Sequence, residues 1–245
     1  MSQAAPQIDR DRLVELVTDL VSIPSVSGDE LAIMQHVAGI FEGAGIAHVV
    51  TARDPERPNV VAWIGDGNGP TIAMNGHLDT VPVSDPDRWK TDPLTGVLSD
   101  DGKKIYGRGS SDMKGAVGVM IYTMLALKDA PLHGTLQAHI VSDEERGSDY
   151  GTIHVLDEIE AGRIPRPDYV LIGEGSQLKV RNAERGICGF RVRFIGRASH
   201  TAAARVSGIN AIALAAKGIL ALEGDEGVDA VVDRIVGALE SRGVG

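Results

Sequence analysis

Residues 71–79 read TIAMNGHLD: an apolar run that closes on Gly76 and delivers His77 and Asp79. Two later runs end in the same way. Residues 135–145 are TLQAHIVSDEE, and residues 168–175 are DYVLIGEG. Each is a short apolar stretch of strand length whose end carries ionisable side chains. Helical spacing lies between them. The chain from Asp112 to about Lys128 reads as a helix behind a glycine-bearing turn, and a further helix is expected around 149–161. Strand-like and helical segments that alternate in this way predict a sheet with helices on both faces, an α/β architecture. In such sheets, sites form at the carboxyl ends of strands, where His77, Glu144, Glu145 and Glu174 stand.

The reading extends outward on both sides. In residues 9–22, Leu13, Leu16, Val17 and Leu20 recur at helical spacing, and Pro24 stops the helix. Ser27 with Glu30 three positions on reads as a capping box for a second helix that runs to about Gly43. Residues 46–52 and 59–64 read as strands. Beyond about residue 178 the texture changes. Residues 186–195 alternate like a half-buried strand, and helices are expected over 208–222 and 228–240. We therefore expect a metal-binding catalytic domain over residues 1–178 and a smaller α+β unit over 179–245.

Composition narrows the function classes. Lys and Arg number 24 against 34 Asp and Glu, a formal charge of −10, which disfavours nucleic acid and anionic membranes as partners. No stretch is long and apolar enough to span a bilayer, and the start MSQAAPQIDRDR lacks the apolar core of a signal peptide. A single cysteine, Cys188, forms no intrachain disulfide, so the expected location is the cytoplasm.

The ionisable residues at the segment ends make a coherent set. A hydrolytic metal site needs nitrogen and oxygen ligands, an open position for water, and a nearby base. His77, Asp112, Glu145 and Glu174 supply one imidazole and three carboxylates, and Glu144 supplies a base. His77 and Asp79 stand two apart on an extended segment and face the same side. Asp79 can then hold the imidazole nitrogen that a metal does not use. Asp112 follows Gly107 and Gly109, which permit close approach of the backbone, and its two oxygens suit a bridge between two ions. Each motif alone has a bland counterpart. Asp112 also suits a helix cap, Asp143-Glu144-Glu145 a solvated acidic turn, Glu174 an exposed glycine-flanked turn, and His200 a loop histidine. Their joint order favours the metal reading, with His200 donating to a developing oxyanion from across a cleft.

The same residues resemble the two-zinc metallopeptidase family of acetylornithine deacetylase, succinyl-diaminopimelate desuccinylase, aminoacylase and glutamate carboxypeptidase. The matching phrases are Gly76-His77-Leu78-Asp79-Thr80-Val81-Pro82, Tyr106-Gly107-Arg108-Gly109-Ser110-Ser111-Asp112-Met113-Lys114-Gly115, Ser142-Asp143-Glu144-Glu145, Gly173-Glu174, and Ser199-His200 followed by Gly208-Ile209-Asn210-Ala211-Ile212. The resemblance implies a zinc-exopeptidase-like catalytic domain with a lid that carries a homodimer interface. It implies that His77 and Glu174 bind one zinc, Glu145 the other, and Asp112 both, with cobalt as a possible substitute. Asp79 would orient His77, and Glu144 would pass a proton from water to the leaving amine. His200 would polarise the scissile carbonyl.

The implied substrate is a small N-acyl amino acid or peptide cut next to a carboxylate, with a dipeptidase or carboxypeptidase as the alternative. In the family a histidine near the C-terminus completes the second zinc site, and no histidine follows His200 here. We therefore expect a C-terminally truncated member whose second metal site is weakly filled, or a non-catalytic metal-binding protein. Bare apolar surface and an unpaired strand edge are expected to accompany the truncation.

Overall fold

The computed structural model describes residues 7–175, 179–183, 193–200 and 208–220. The chain divides into two compact units, Met1–Val180 and Arg181–Gly245.

The first unit is built on a five-stranded sheet with the order β1-β2-β6-β3-β7. The strands are β1 (Ala47–Thr51), β2 (Asn59–Gly65), β3 (Thr71–His77), β6 (Thr135–Val141) and β7 (Tyr169–Ile172). β4 (Val97–Leu98) and β5 (Ile105–Tyr106) form a separate small ribbon. β2 pairs antiparallel with both β1 and β6, while β3 runs parallel to both β6 and β7.

Alternation along the strands separates two cores. Val60, Ala62 and Ile64 of β2, with Ala138 and Ile140 of β6, face one side. There they meet Leu20 of α1 (Arg10–Ser22), Ile33, Val37 and Phe41 of α2 (Leu31–Gly43), and Val117, Ile121 and Met124 of α3 (Lys114–Leu127). Val61 and Val141 face the other side and meet Val155 of α4 (Thr152–Glu160) and Ile164. Helices therefore cover both faces, as the sequence predicts. Each large side chain buried in this way contributes roughly 1.5–3 kcal/mol.

Local signals explain most of the element ends. Asp9 caps α1 by accepting the Arg12 N–H at 3.1 Å. Ile23, the residue before Pro24, turns extended and ends that helix. Two expected starts are corrected. Ser27 does not cap α2; its hydroxyl goes to Asp79 at 2.7 Å, and the helix begins at Leu31 behind Glu30. α3 begins at Lys114, not Asp112, so Asp112 is left in the preceding turn with its side chain free for other work.

β7 lies at the sheet edge with all four residues exposed, from 55% at Val170 to 67% at Tyr169. Among the described residues no helix is long and apolar enough to cross a membrane.

In the second unit, Arg197 and Ile209 form an antiparallel bridge, and the helix expected over 208–222 is α5 (Ala211–Leu220). Asn210 caps it by accepting the N–H groups of Ile212 and Ala213 at 3.0 and 3.1 Å. Of the strand expected over 186–195, residues 186–192 lie outside the described residues, and 193–195 are irregular. The helix expected over 228–240 lies wholly outside them.

Candidate metal centre

The register of the parallel strands brings the suspect residues to one place. His77 of β3 pairs with Val141 of β6, and the Leu78 N–H continues the ladder to the Val141 carbonyl at 3.0 Å. Gly173 donates to the Asn75 carbonyl at 3.2 Å, which delivers Glu174 beside the same end. The segments 78–79, 142–145 and 173–174 therefore leave the sheet side by side at the carboxyl ends of three neighbouring strands.

His77 is the centre of the group and is 1% exposed. Its Nδ1 lies 3.0 Å from the Asp79 carbonyl oxygen and 3.3 Å from Asp79 Oδ1. Its Nε2 faces outward, 3.1 Å from Asp112 Oδ1, 3.6 Å from Glu174 Oε2 and 3.7 Å from Glu144 Oε2. With Nδ1 occupied as a donor, loss of the Nε2 proton would leave a lone pair aimed at the place between the carboxylates where a cation would sit.

The charges here demand compensation. Burial opposes a charged imidazole, but the hydrogen bond and charge of Asp79, aided by Glu144, raise the His77 pKa to about 9. Burial raises the pKa of Glu144, assisted by the like charges of Glu174, Asp79 and Asp112 and opposed by His77. Glu145 is raised by burial and by Asp112. The Asp79 carboxyl is itself buried, but hydrogen bonds from His77 and Ser27 hold its pKa down.

Asp79 is saturated with donors. Oδ1 accepts the Glu144 N–H at 3.0 Å, and Oδ2 accepts the Glu145 N–H at 3.2 Å and the Ser27 hydroxyl at 2.7 Å. Its side chain thus ties β3 to the turn that follows β6 and to the segment before α2. The acidic run Asp143-Glu144-Glu145 is solvated only in part, with Asp143 buried and Glu144 exposed. It forms a one-turn 3-10 helix, Glu144–Arg146, with Asp143 buried and left-handed in front of it.

Asp112 reaches the group through the turn before α3. Gly109 has φ +83°, and a Cβ there would sit 2.8 Å from Thr80 Cγ2. Gly107 also has positive φ, at +143°. Both glycines are thus required by the turn's own conformation and packing. The Asp112–Met113 peptide is cis.

A metal fits this donor set. His77, Asp112 and Glu145 each offer a ligand atom, and all lie within 4.8 Å of one another. A tetrahedral ion with bonds of about 2.0–2.2 Å holds neighbouring donors roughly 3.4 Å apart, so small side-chain adjustments close the shell. One buried imidazole beside several carboxylates, of which Glu144 and Glu145 are raised in pKa, is also an arrangement that a divalent cation relieves. The fold therefore gathers His77, Asp79, Asp112, Glu144, Glu145 and Glu174. His200 belongs to the second unit.

Sequence reasoning missed three contributors. Ser27 reads in the sequence as a helix cap, Arg57 carried no signal, and Asp143 was absorbed into an acidic run. The readable clue was Arg57-Pro58-Asn59, where a cation stands two residues before a strand that is mostly apolar.

Comparison with known proteins accords with this geometry. Residues 73–241 match the model of peptidase family M20/M25/M40. The chain is 34% identical over 206 residues to a succinyl-diaminopimelate desuccinylase of Methylobacterium radiotolerans, covering 78% of this chain and 51% of that protein. It is 33% identical over 202 residues to a desuccinylase of Rhodospirillum centenum, covering 77% and 51%. The chain thus spans about half the length of the curated relatives it matches. Human carnosine dipeptidase 1 shares the fold, with a TM-score of 0.55 and 24% identity, over 66% of this chain and 38% of that one. A Staphylococcus aureus tripeptidase does so with a TM-score of 0.57 and 20% identity, over 89% and 57%. By the extent of the family match, the chain belongs to peptidase family M20/M25/M40.

Proposed function

We propose that this chain carries the metal-binding half of a hydrolase that cleaves an N-acyl amide or peptide bond next to a carboxylate, in the manner of a deacetylase or desuccinylase. The observation that carries the reading is His77 Nε2, which faces Asp112, Glu144 and Glu174 within 3.7 Å while Asp79 holds the opposite ring nitrogen. The likeness to desuccinylases supports the acyl-amide substrate class.

His77, Asp112 and Glu174 would form one metal position. Glu145 with Asp112 would form part of a second, less tightly filled one. Zinc, or cobalt in its place, supplies Lewis acidity to the scissile carbonyl and lowers the pKa of the attacking water. Asp79 keeps His77 in the tautomer that presents Nε2. Glu144, half-exposed and raised in pKa, accepts a proton from the attacking water and returns it to the leaving amine nitrogen. His200, from the second unit, would donate to the carbonyl oxygen as negative charge develops. That unit would also carry a homodimer interface. The single cysteine, Cys188, suits work in a reducing cytosol.

The test is a zinc- or cobalt-loaded chain assayed on acetylornithine, succinyl-diaminopimelate and simple dipeptides beside Glu144→Gln. The reading expects turnover of an acyl substrate, loss of at least about a hundredfold in the variant, and unchanged metal content. Dipeptide turnover alone would redirect the substrate class to a dipeptidase or carboxypeptidase. Metal binding without any turnover would leave a non-catalytic metal-binding protein.

A further inference from the structure

Behind the turn that bears Glu144 and Glu145 lies a buried ion cluster that touches none of the proposed ligands. Arg57, 9% exposed, directs its guanidinium between two carboxylates that are themselves buried, Glu30 and Asp143. Its Nε and Nη2 each lie 3.4 Å from a Glu30 oxygen, and Nη2 also donates to Asp143 Oδ1. The guanidinium carbon stands 4.4 Å from the centre of the Tyr150 ring, which seals the cluster on one side.

Asp143 is the link to the site. It adopts φ +63°, a conformation uncommon for a non-glycine residue. Its second oxygen accepts the Tyr150 N–H at 3.0 Å, and its carbonyl accepts the Ser148 N–H at 2.7 Å. The next two residues donate their N–H groups forward to Asp79. The turn is therefore held from both sides: by Asp79 at the front, next to His77, and by Arg57 behind. Removing the guanidinium leaves two buried carboxylates without their cation. The cheapest relief is for Asp143 to turn toward water and carry Glu144 and Glu145 with it.

We propose that Arg57 is a positioning residue that sets the direction of Glu144 and Glu145 through Asp143 without contacting metal or substrate. Its relevance to chemistry rests on the hydrolase reading, but the placement of the turn can be tested separately. A lysine delivers a single point charge and cannot serve Glu30 and Asp143 together as the planar fork does, so Arg57→Lys is informative beside Arg57→Met.

The experiment measures amide hydrogen exchange at Glu144 and Glu145, with the β6 amides of Ala138 and Ile140 as internal reference. Zinc titration calorimetry follows on the same samples. We expect protection at Glu144 and Glu145 to fall at least about tenfold in both variants while the β6 amides hold theirs, and zinc affinity to fall by a comparable factor. Equal loss at all four amides, or no loss at the turn, would reduce Arg57 to a general stabiliser and overturn the proposal. If Arg57→Met does not fold, Arg57→Lys decides by the same criterion. If the unaltered chain takes up no zinc, the hydrolase reading falls, and the exchange data alone judge Arg57.

Discussion

Asp79 accepts the main-chain N–H of Glu144 at 3.0 Å with the same oxygen that lies 3.3 Å from the imidazole Nδ1 of His77. One buried carboxylate thus fixes both a proposed ligand and the proposed base. Every group around it is a donor: two main-chain amides, the Ser27 hydroxyl and the His77 ring. Asp79→Asn keeps the shape but must turn an NH2 group toward donors. Metal affinity is expected to fall about 10–100-fold, with turnover falling in parallel. Ser27→Ala removes one hydrogen bond of four and should cost only about 1 kcal/mol in urea unfolding. Equal metal affinities for Asp79→Asn and the unaltered chain would remove Asp79 from this role.

Metal uptake should release a proton. In the metal-free chain the His77 pKa is raised to about 9, so the ring is charged at neutral pH and must lose its proton to become a ligand. The sign follows directly. Metal affinity rises with pH, about tenfold per unit at most, and levels off above about 9. For the metal-free fold the effect is opposite. A raised pKa contributes stability below the unfolded value of about 6.5, and that stability is lost as pH rises through about 9. Calorimetry at pH 7 in buffers of different ionisation enthalpy should find close to one proton released per first metal bound. A value near zero would contradict this account.

The sheet and its site were legible wherever one residue type served one purpose. The runs ending at His77, Val141 and Ile172 became β3, β6 and β7, because apolar strands flanked by turns have few alternatives. The His, Asp and Glu side chains that the fold brings together were picked out because such residues are rare in combination. Dual-use residues were misread. Ser27 and Glu30 have capping-box spacing, but a buried carboxylate and a buried guanidinium outcompete a helix end for their oxygens. Asp112 looks like a helix start because α3 begins two residues later. Asp143 sits in a run that is usually solvated, yet it is buried because Arg57, distant in sequence, reaches it. No local pattern contains that long-range pairing.

The bare edge of the sheet predicts self-association. β7 presents Tyr169, Val170, Leu171 and Ile172, each more than half exposed, with no charge among them. An apolar edge strand with open hydrogen-bonding groups pairs readily with another strand. Leu171→Lys is expected to lower concentration-dependent light scattering and to leave the far-ultraviolet circular dichroism unchanged. Scattering equal to that of the unaltered chain would place the sticky surface elsewhere.

Acid should weaken the first unit through His139. The ring is 4% exposed on the inside of β6, and its Nε2 lies 2.8 Å from Gln137 Oε1. Burial alone pushes its pKa down to about 4. The unfolded chain, with a histidine near 6.5, then binds a proton that the folded chain refuses. Stability from this source is complete above pH 6.5 and is lost as pH falls toward 4, at about 1.4 kcal/mol per unit at most. His139→Gln removes the titration while keeping a polar side chain of similar length. Urea midpoints measured from pH 7 to 4.5 should fall more steeply in the unaltered chain than in the variant. Parallel curves would mean that the imidazole gains a proton without unfolding, with water or a shifted Gln137 accommodating the charge.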